Sequence, residues 1–252
     1  MVLESTKSPP WLATVLLAED DTEESVMGSD WHRGAIFEAY GVLNDQAIER
    51  AAKGEPPWYV SSQVTVITKL PRRRRLWQPK PDVFVVVGHQ VAPRTSYDTR
   101  RDGPMPQFIL EIASDSTWEN DVDDKLTCYG LLGVAEYVVF DPVGEILPEP
   151  IQAWQRGSTG LDSWQPLQRA DGTPFWRSNV LGLDLRIEGP LLRFVDPAKG
   201  PLPLHRELHG NWQDAEQRVW EERQAREAAE KRAQAAEREL AALREQIRKE
   251  LR

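Results

Sequence analysis

Three short apolar runs constrain this chain more than any other feature: Asp82-Val-Phe-Val-Val-Val87, Phe108-Ile-Leu-Glu-Ile-Ala113 and Glu136-Tyr-Val-Val-Phe140. Each is too short for a buried helix and rich in β-branched or aromatic residues, so each predicts a strand covered on both faces. Between the last two lies a helix-length stretch that Ser116 or Thr117 can cap and that Gly133 stops after about Leu132. A strand, a short helical crossover and a second strand suit a parallel pair. Asp82 opens the first run, Glu111 sits inside the second, and Lys125 follows on the helix. Buried carboxylates on neighbouring strands repel each other and resist ionisation, a conflict that a shared divalent cation resolves.

The flanking segments complete a mixed architecture. Residues 1–24 are acidic and irregular, including Glu19-Asp-Asp-Thr-Glu-Glu24, and Asp30 is positioned to cap a helix running through Ala51. Alternation from Trp58 to Leu70 predicts one strand, and Arg72, Arg73, Arg74 and Arg75 then form an exposed connection. Beyond Pro150, short segments around Ile151–Trp154, Trp164–Gln168, Leu181–Arg186 and Leu191–Phe194 read as hairpins completing or flanking the sheet. The expected fold class is α/β (α+β), a mixed β-sheet core flanked by helices over residues 25–205. From 212 to 252 the composition turns to Ala, Glu, Arg, Gln and Leu. Apolar residues at 229, 233, 236, 240, 243 and 247 keep the four-three spacing of a coiled-coil seam, firm from about Ala229 onward. Self-association through this helix is the expectation, with an isolated solvated helix as the alternative.

Composition narrows the function classes. A single cysteine, Cys128, excludes an intramolecular disulfide and a cysteine-rich zinc site, and a reducing cytoplasm is the natural setting. No stretch reaches the roughly 18 apolar residues of a spanning helix, so no membrane association is expected. The net charge of −9 argues against indiscriminate attraction to nucleic acid, although a whole-chain sum can hide a local basic surface.

Four motifs occur in order between Pro81 and Pro142: Pro81-Asp82-Val, Glu111-Ile-Ala-Ser114-Asp-Ser-Thr117, Asp121-Val-Asp-Asp-Lys125-Leu-Thr-Cys-Tyr129, and Gly133-Val-Ala-Glu136-Tyr-Val-Val-Phe-Asp141-Pro142. Together they resemble the "Uma two" family of restriction-endonuclease-like proteins in the PD-(D/E)XK nuclease superfamily. The resemblance implies a restriction-endonuclease-like fold and metal-dependent hydrolysis of phosphodiester bonds in DNA. It implies that Asp82, Glu111 and the carbonyl of Ile112 hold Mg²⁺ or Mn²⁺, ions that favour oxygen ligands. Lys125 would orient the attacking water or stabilise charge on the phosphoryl oxygens. The superfamily's lysine usually stands two residues after the second acid, where this chain has Ala113; the resemblance places the role on the helical Lys125 instead.

Auxiliary candidates are Ser114 just past the second strand, Asp121 one turn before Lys125, and His32 and Glu38 on the first helix. Six residues separate His32 from Glu38, so the two do not share a helical face. Arg72 to Arg75 are candidates for phosphate contacts, equally readable as a solvated hairpin tip. Asp82 also reads as a turn residue, and Lys125 as a simple partner of Asp121 or Asp124. The competing function is a catalytically inactive nuclease-fold scaffold that acts through its coiled coil.

Overall fold

The computed structural model describes residues 30–71, 75–89, 94–114, 118–157, 163–169, 175–208, 218, 220–224, 226 and 232. Helix α1, Asp30–Ala52, turns Ala35, Ile36, Ala39, Val42, Leu43 and Ala47 inward at three- and four-residue steps, which makes one apolar stripe. Asp30 is the first helical residue, and its carboxylate bonds Arg33 at 2.7 Å.

Strands β1 (Trp58–Ser61), β2 (Thr65–Ile67), β3 (Val83–Val87), β4 (Ser96–Asp98) and β5 (Phe108–Ile112) follow. Helix α2 then runs as Trp118–Asn120, a π-helical turn Asp121–Lys125, and Leu126–Leu132. Gly133 ends it in the left-handed conformation, φ 84°, as a glycine after a helix commonly does. After it come β6 (Glu136–Phe140), β7 (Ile151–Arg156), β8 (Trp164–Pro166), β9 (Trp176–Ser178), β10 (Leu183–Glu188), β11 (Leu191–Asp196) and β12 (Gly200–Pro201).

The central sheet has the order β1-β3-β5-β6-β7-β8. Its β5–β6 pair is parallel, with Phe108 opposite Glu136 and Ile112 opposite Phe140, as the short helical crossover requires. The other pairs of this sheet are antiparallel. The predicted hairpins divide between two sheets. β7 and β8 extend the central one, whereas β10 and β11 form the middle of a second, β12-β11-β10-β9. The fold is therefore the mixed sheet with flanking helices that the sequence predicts.

Side-chain alternation partitions two cores across the central sheet. Val83, Val85, Phe108, Leu110, Ile112, Val138 and Phe140 pack with α1 and the second sheet. Phe84, Val86, Ile109, Tyr137 and Val139 pack with Tyr129 of α2 and with Val66 and Tyr97 of the β2–β4 pair. Glu136, on the first of these faces, is buried and ties the sheets together. One of its oxygens accepts the Ser178 hydroxyl, and the other accepts N–H bonds from Asn179 at 2.7 Å and Val180 at 3.1 Å.

One expected strand is divided. Trp58–Leu70 breaks after Ser61, where Gln63 takes φ 51° and donates its N–H to the carbonyls of Pro81 and Asp82. β1 stays with β3, while β2 leaves to pair in parallel with β4.

The chain divides into two compact units, Met1–Leu204 and His205–Arg252. The described residues of the second, 205–208, 218, 220–224, 226 and 232, are helical. The heptad positions 229 to 247 and the acidic segment 1–24 lie outside the described residues. No helix among the described residues is long and apolar enough to cross a membrane.

Candidate functional site

The β3–β5 pairing sets Val83 opposite Leu110 and Phe84 opposite Ile109, so one step outward Asp82 faces Glu111. Parity puts both carboxylates on the sheet face that α2 covers. Asp82 stands just before β3, and two main-chain bonds tie it to the neighbouring strand. Its Oδ2 accepts the Ile112 N–H at 2.8 Å, and its own N–H donates to Glu111 Oε2 at 3.2 Å.

From above, α2 closes the arrangement. Lys125 Nζ lies 2.8 Å from Asp121 Oδ1 and 3.3 Å from Glu111 Oε1, and the Tyr129 hydroxyl donates to that same Glu111 oxygen at 3.1 Å. The π-helical turn that carries Asp121 and Lys125 is a local widening of the kind that recurs at functional sites. Tyr137 on β6 donates its hydroxyl to the Asp121 carbonyl at 2.8 Å, fixing the start of that turn. Trp77 and Tyr137 flank the Tyr129 ring at 5.1 and 5.0 Å between centroids.

The first helix contributes as well. His32 Nε2 sits 3.0 Å from the Ile112 carbonyl oxygen and 3.7 Å from Asp82 Oδ2. Glu38 is buried on the same helix, about 120° round from His32 by helical geometry. Ser114 follows β5, where its carbonyl accepts the Trp118 N–H at the entry to α2. Arg75 is exposed, and Arg72, Arg73 and Arg74 lie outside the described residues.

Burial dominates the electrostatics. It pushes Glu111 up to about 8; Lys125 opposes the rise, and Asp121 and Asp82 add to it. Asp82 also rises through burial, restrained by the Ile112 amide, His32 and Lys125. Burial works against charge on Lys125, but Glu111 and Asp121 outweigh it and keep the ammonium protonated well above its ordinary range. The Tyr129 hydroxyl, raised by burial and then by Glu111, stays a donor.

The donors suit a hard divalent cation. Glu111 is buried, whereas Asp82 keeps 14% side-chain exposure, and among the described residues nothing bonds Asp82 Oδ1. A lone pair thus remains for a ligand arriving from solvent. No three His, Cys, Asp or Glu side chains among the described residues form a ready metal cage. Two carboxylates and a carbonyl nevertheless fit Mg²⁺ or Mn²⁺, since Mg²⁺ commonly keeps several waters and takes only one or two carboxylates. A separate cavity of about 140 Å³ is lined by Arg50, Trp58, Asp196 and Lys199 among others. Its charges pair locally, Arg50 with Glu55, Lys53 with Glu49, and Lys199 with both Glu49 and Asp196, and these side chains are mostly exposed rather than desolvated.

Of the residues expected from sequence, the structure gathers Asp82, Glu111, Ile112, Asp121, Lys125 and His32 at one place. Glu38 lies elsewhere on α1. Tyr129 joins the site unanticipated; its four-residue spacing from Lys125 was the available signal.

The profile of a family described as "Uma2: Putative restriction endonuclease" matches residues 19–188. No curated protein matches the chain. Among solved structures, the chain is similar to "a putative nuclease belonging to DUF820 from Anabaena variabilis ATCC 29413", at 11% sequence identity and a TM-score of 0.41. That match covers 62% of this chain and 75% of the other.

Proposed function

The chain belongs to the Uma2 family, whose description reads "Putative restriction endonuclease", and from that premise we propose that its Asp82–Glu111–Lys125 centre hydrolyses phosphodiester bonds in DNA with a divalent cation. The observation that carries this reading is the pairing of two desolvated carboxylates across adjacent strands, with one lysine reaching them from the helix above. Asp82, Glu111 and the Ile112 carbonyl would hold Mg²⁺ or Mn²⁺. Such an ion lowers the pKa of its bound water and polarises a phosphate.

The chain's own residues supply the remaining chemistry. Lys125, charged at any physiological pH, places its ammonium where negative charge grows on the phosphoryl oxygens or where the attacking water must be held. Asp121 holds Lys125 from one side, and Tyr129 holds Glu111 from the other, so neither group has to reorganise as the reaction proceeds. The C-terminal helix would pair two chains and thereby present one site to each DNA strand.

The test uses purified full-length protein with single-stranded DNA, double-stranded DNA and RNA in Mg²⁺ and in Mn²⁺. An Asp82→Ala/Glu111→Ala double variant of confirmed fold is run beside it. Metal-dependent cleavage of DNA that disappears in the variant is the expected result, with Lys125→Met reducing the rate by roughly 10²-fold or more. Cleavage that persists in the double variant would overturn the assignment. Inactivity of both proteins, with the oligomer intact, would favour the scaffold that acts through its C-terminal helix.

A further inference from the structure

The β2–β4 pair has a third segment beside it. Thr68 bridges Trp77 in antiparallel fashion, and Val66 donates its N–H to the Pro79 carbonyl at 2.8 Å, so residues 77–81 run along β2. On the other side Thr65 faces Ser96 and Ile67 faces Asp98. Alternation gives this three-stranded layer two faces. Val66, Thr68, Leu70, Pro79 and Tyr97 are buried, whereas Lys69, Gln78, Lys80 and Arg100 are exposed. The antiparallel register sets Lys80 across from Thr65. The parallel one, carried on past Thr68 and Thr99, whose hydroxyls bond at 2.9 Å, sets Lys69 beside Arg100. Arg75 is exposed where the chain returns toward Trp77, and the Arg101 side chain is 74% exposed.

In a chain of net charge −9, this outer face is basic. Its acids are already matched. Asp98 is buried and pairs with Arg100 and Arg101, and Asp102 pairs with Arg94 at 2.9 Å. Among the described residues no carboxylate pairs with Lys69, Arg75 or Lys80. The layer also adjoins the site at both ends of the 77–81 segment. Gln63 donates its N–H to the carbonyls of Pro81 and Asp82, and the Trp77 ring packs on Tyr129, whose hydroxyl holds Glu111. From Gln63 to Lys69 the strand covers roughly 20 Å, the length of about six nucleotides along one strand of a duplex.

We infer that this outer face, through Lys69, Arg75 and Lys80 with Arg100 and Arg101 at its edge, holds the phosphate backbone of duplex DNA on one side of the bond cleaved at Asp82 and Glu111. The choice of DNA as partner rests on the nuclease reading of the site. Such contacts fix the position of a duplex without reading its bases, and each neutralised phosphate releases a counterion, so the binding weakens steeply with salt. The bland alternative is a solvated face whose charge merely offsets the acidity of the chain.

The experiment separates binding from cleavage. Full-length protein in chelator is titrated by fluorescence anisotropy against a labelled duplex of about 20 base pairs over a series of salt concentrations. Lys69→Ala/Lys80→Ala is compared with Lys53→Ala/Lys199→Ala, which removes the same charge around the separate cavity, after circular dichroism and thermal melting have shown that both variants fold. The first variant should bind about tenfold or more weakly, with a salt slope shallower by about 2, nearly one for each lost phosphate contact; the second should stay within about threefold with its slope unchanged. Equal weakening of both variants would show that only net charge matters and overturn the inference, as would wild-type affinity in the first. Cleavage in Mn²⁺ is then read on the same proteins. A wild-type chain that cleaves DNA while its affinity ignores Lys69 and Lys80 refutes the surface alone. One that binds through these lysines but cleaves nothing refutes the nuclease reading and leaves the surface standing, and one that neither binds nor cleaves refutes both.

Discussion

Replacing Glu111 by glutamine removes one negative charge from a cluster in which the carboxylates of Asp82, Glu111 and Asp121 surround the single ammonium of Lys125. Burial moves the Glu111 carboxyl from an ordinary 4.5 up to about 8, with Lys125 opposing and Asp121 and Asp82 reinforcing. Without metal, the folded protein thus keeps this proton to about pH 8, while the unfolded chain releases it near 4.5. Across that window the native state binds more protons than the unfolded state, so stability falls as the pH rises. At 1.36 kcal/mol for each tenfold step in acidity, the window corresponds to roughly 5 kcal/mol. Glutamine does not ionise, and its amide oxygen still accepts the Tyr129 hydroxyl. Lys125 retains Asp121 at 2.8 Å, and its attraction for an ionised Glu111 is already contained in the value of about 8. We expect Glu111→Gln to be more stable than wild type by several kcal/mol, about 5 at most, at pH 9, with the difference becoming small near pH 5. Urea denaturation of both proteins in chelator from pH 5 to 9, with equal m-values, measures this directly. A variant less stable than wild type at pH 9, or an advantage that does not change with pH, would refute the electrostatic argument. The charge excess that weakens the metal-free fold is the same excess that attracts a cation.

Three further perturbations probe the surrounding structure. A Cβ at Gly130 would lie 2.7 Å from Trp164 Nε1, which donates to the Leu126 carbonyl at 2.8 Å, so Gly130→Ala should lose about 1–3 kcal/mol in the same denaturation assay. Ser178→Ala removes the hydroxyl donor from buried Glu136 and should cost about 1–3 kcal/mol, seen as a lower urea midpoint. The Arg100 side chain, through its hydrogen bond, holds Asp98 down at about 2 despite opposing burial, so the contribution of Asp98 to stability is complete above pH 4 and is lost as the pH falls toward 2. Asp98→Asn should therefore flatten the acid limb of the stability–pH curve, and an unchanged slope between pH 2 and 4 would contradict the pairing.

Strong local signals made much of the fold legible. α1, β3, β5 and β6 lie where apolar periodicity puts them, and Gly133 ends α2 because only a residue tolerant of positive φ closes the helix that way. The separation of Trp58–Ser61 from Thr65–Ile67 was not legible, since both segments alternate alike. Their different partners are fixed by Gln63 and its bonds to Pro81 and Asp82. Strand β4 is not legible in the sequence because three residues ending in an aspartate carry no strand signature; pairing with β2 and the Arg100 bond to Asp98 hold it in place. At the site, Asp82, Glu111 and Lys125 are legible because each interrupts or follows an apolar pattern. Tyr129 was hidden because an aromatic residue on a buried helix reads first as packing. Its hydroxyl acquires a role only when β5 brings Glu111 to it. The π-helical turn was likewise invisible to spacing arguments that assume 3.6 residues per turn.

Ile112 serves the site entirely through its peptide groups. Its N–H fixes Asp82 and its carbonyl meets His32, while its side chain fills the opposite core beside Leu110 and Phe140. A survey that replaces side chains one by one would score this position as a packing residue, with Val or Leu passing nearly unnoticed. Among the natural amino acids proline alone deletes the amide donor. The position can therefore drift in identity among apolar residues while its contribution to the site stays constant, and amino-acid identity at that position would never record it.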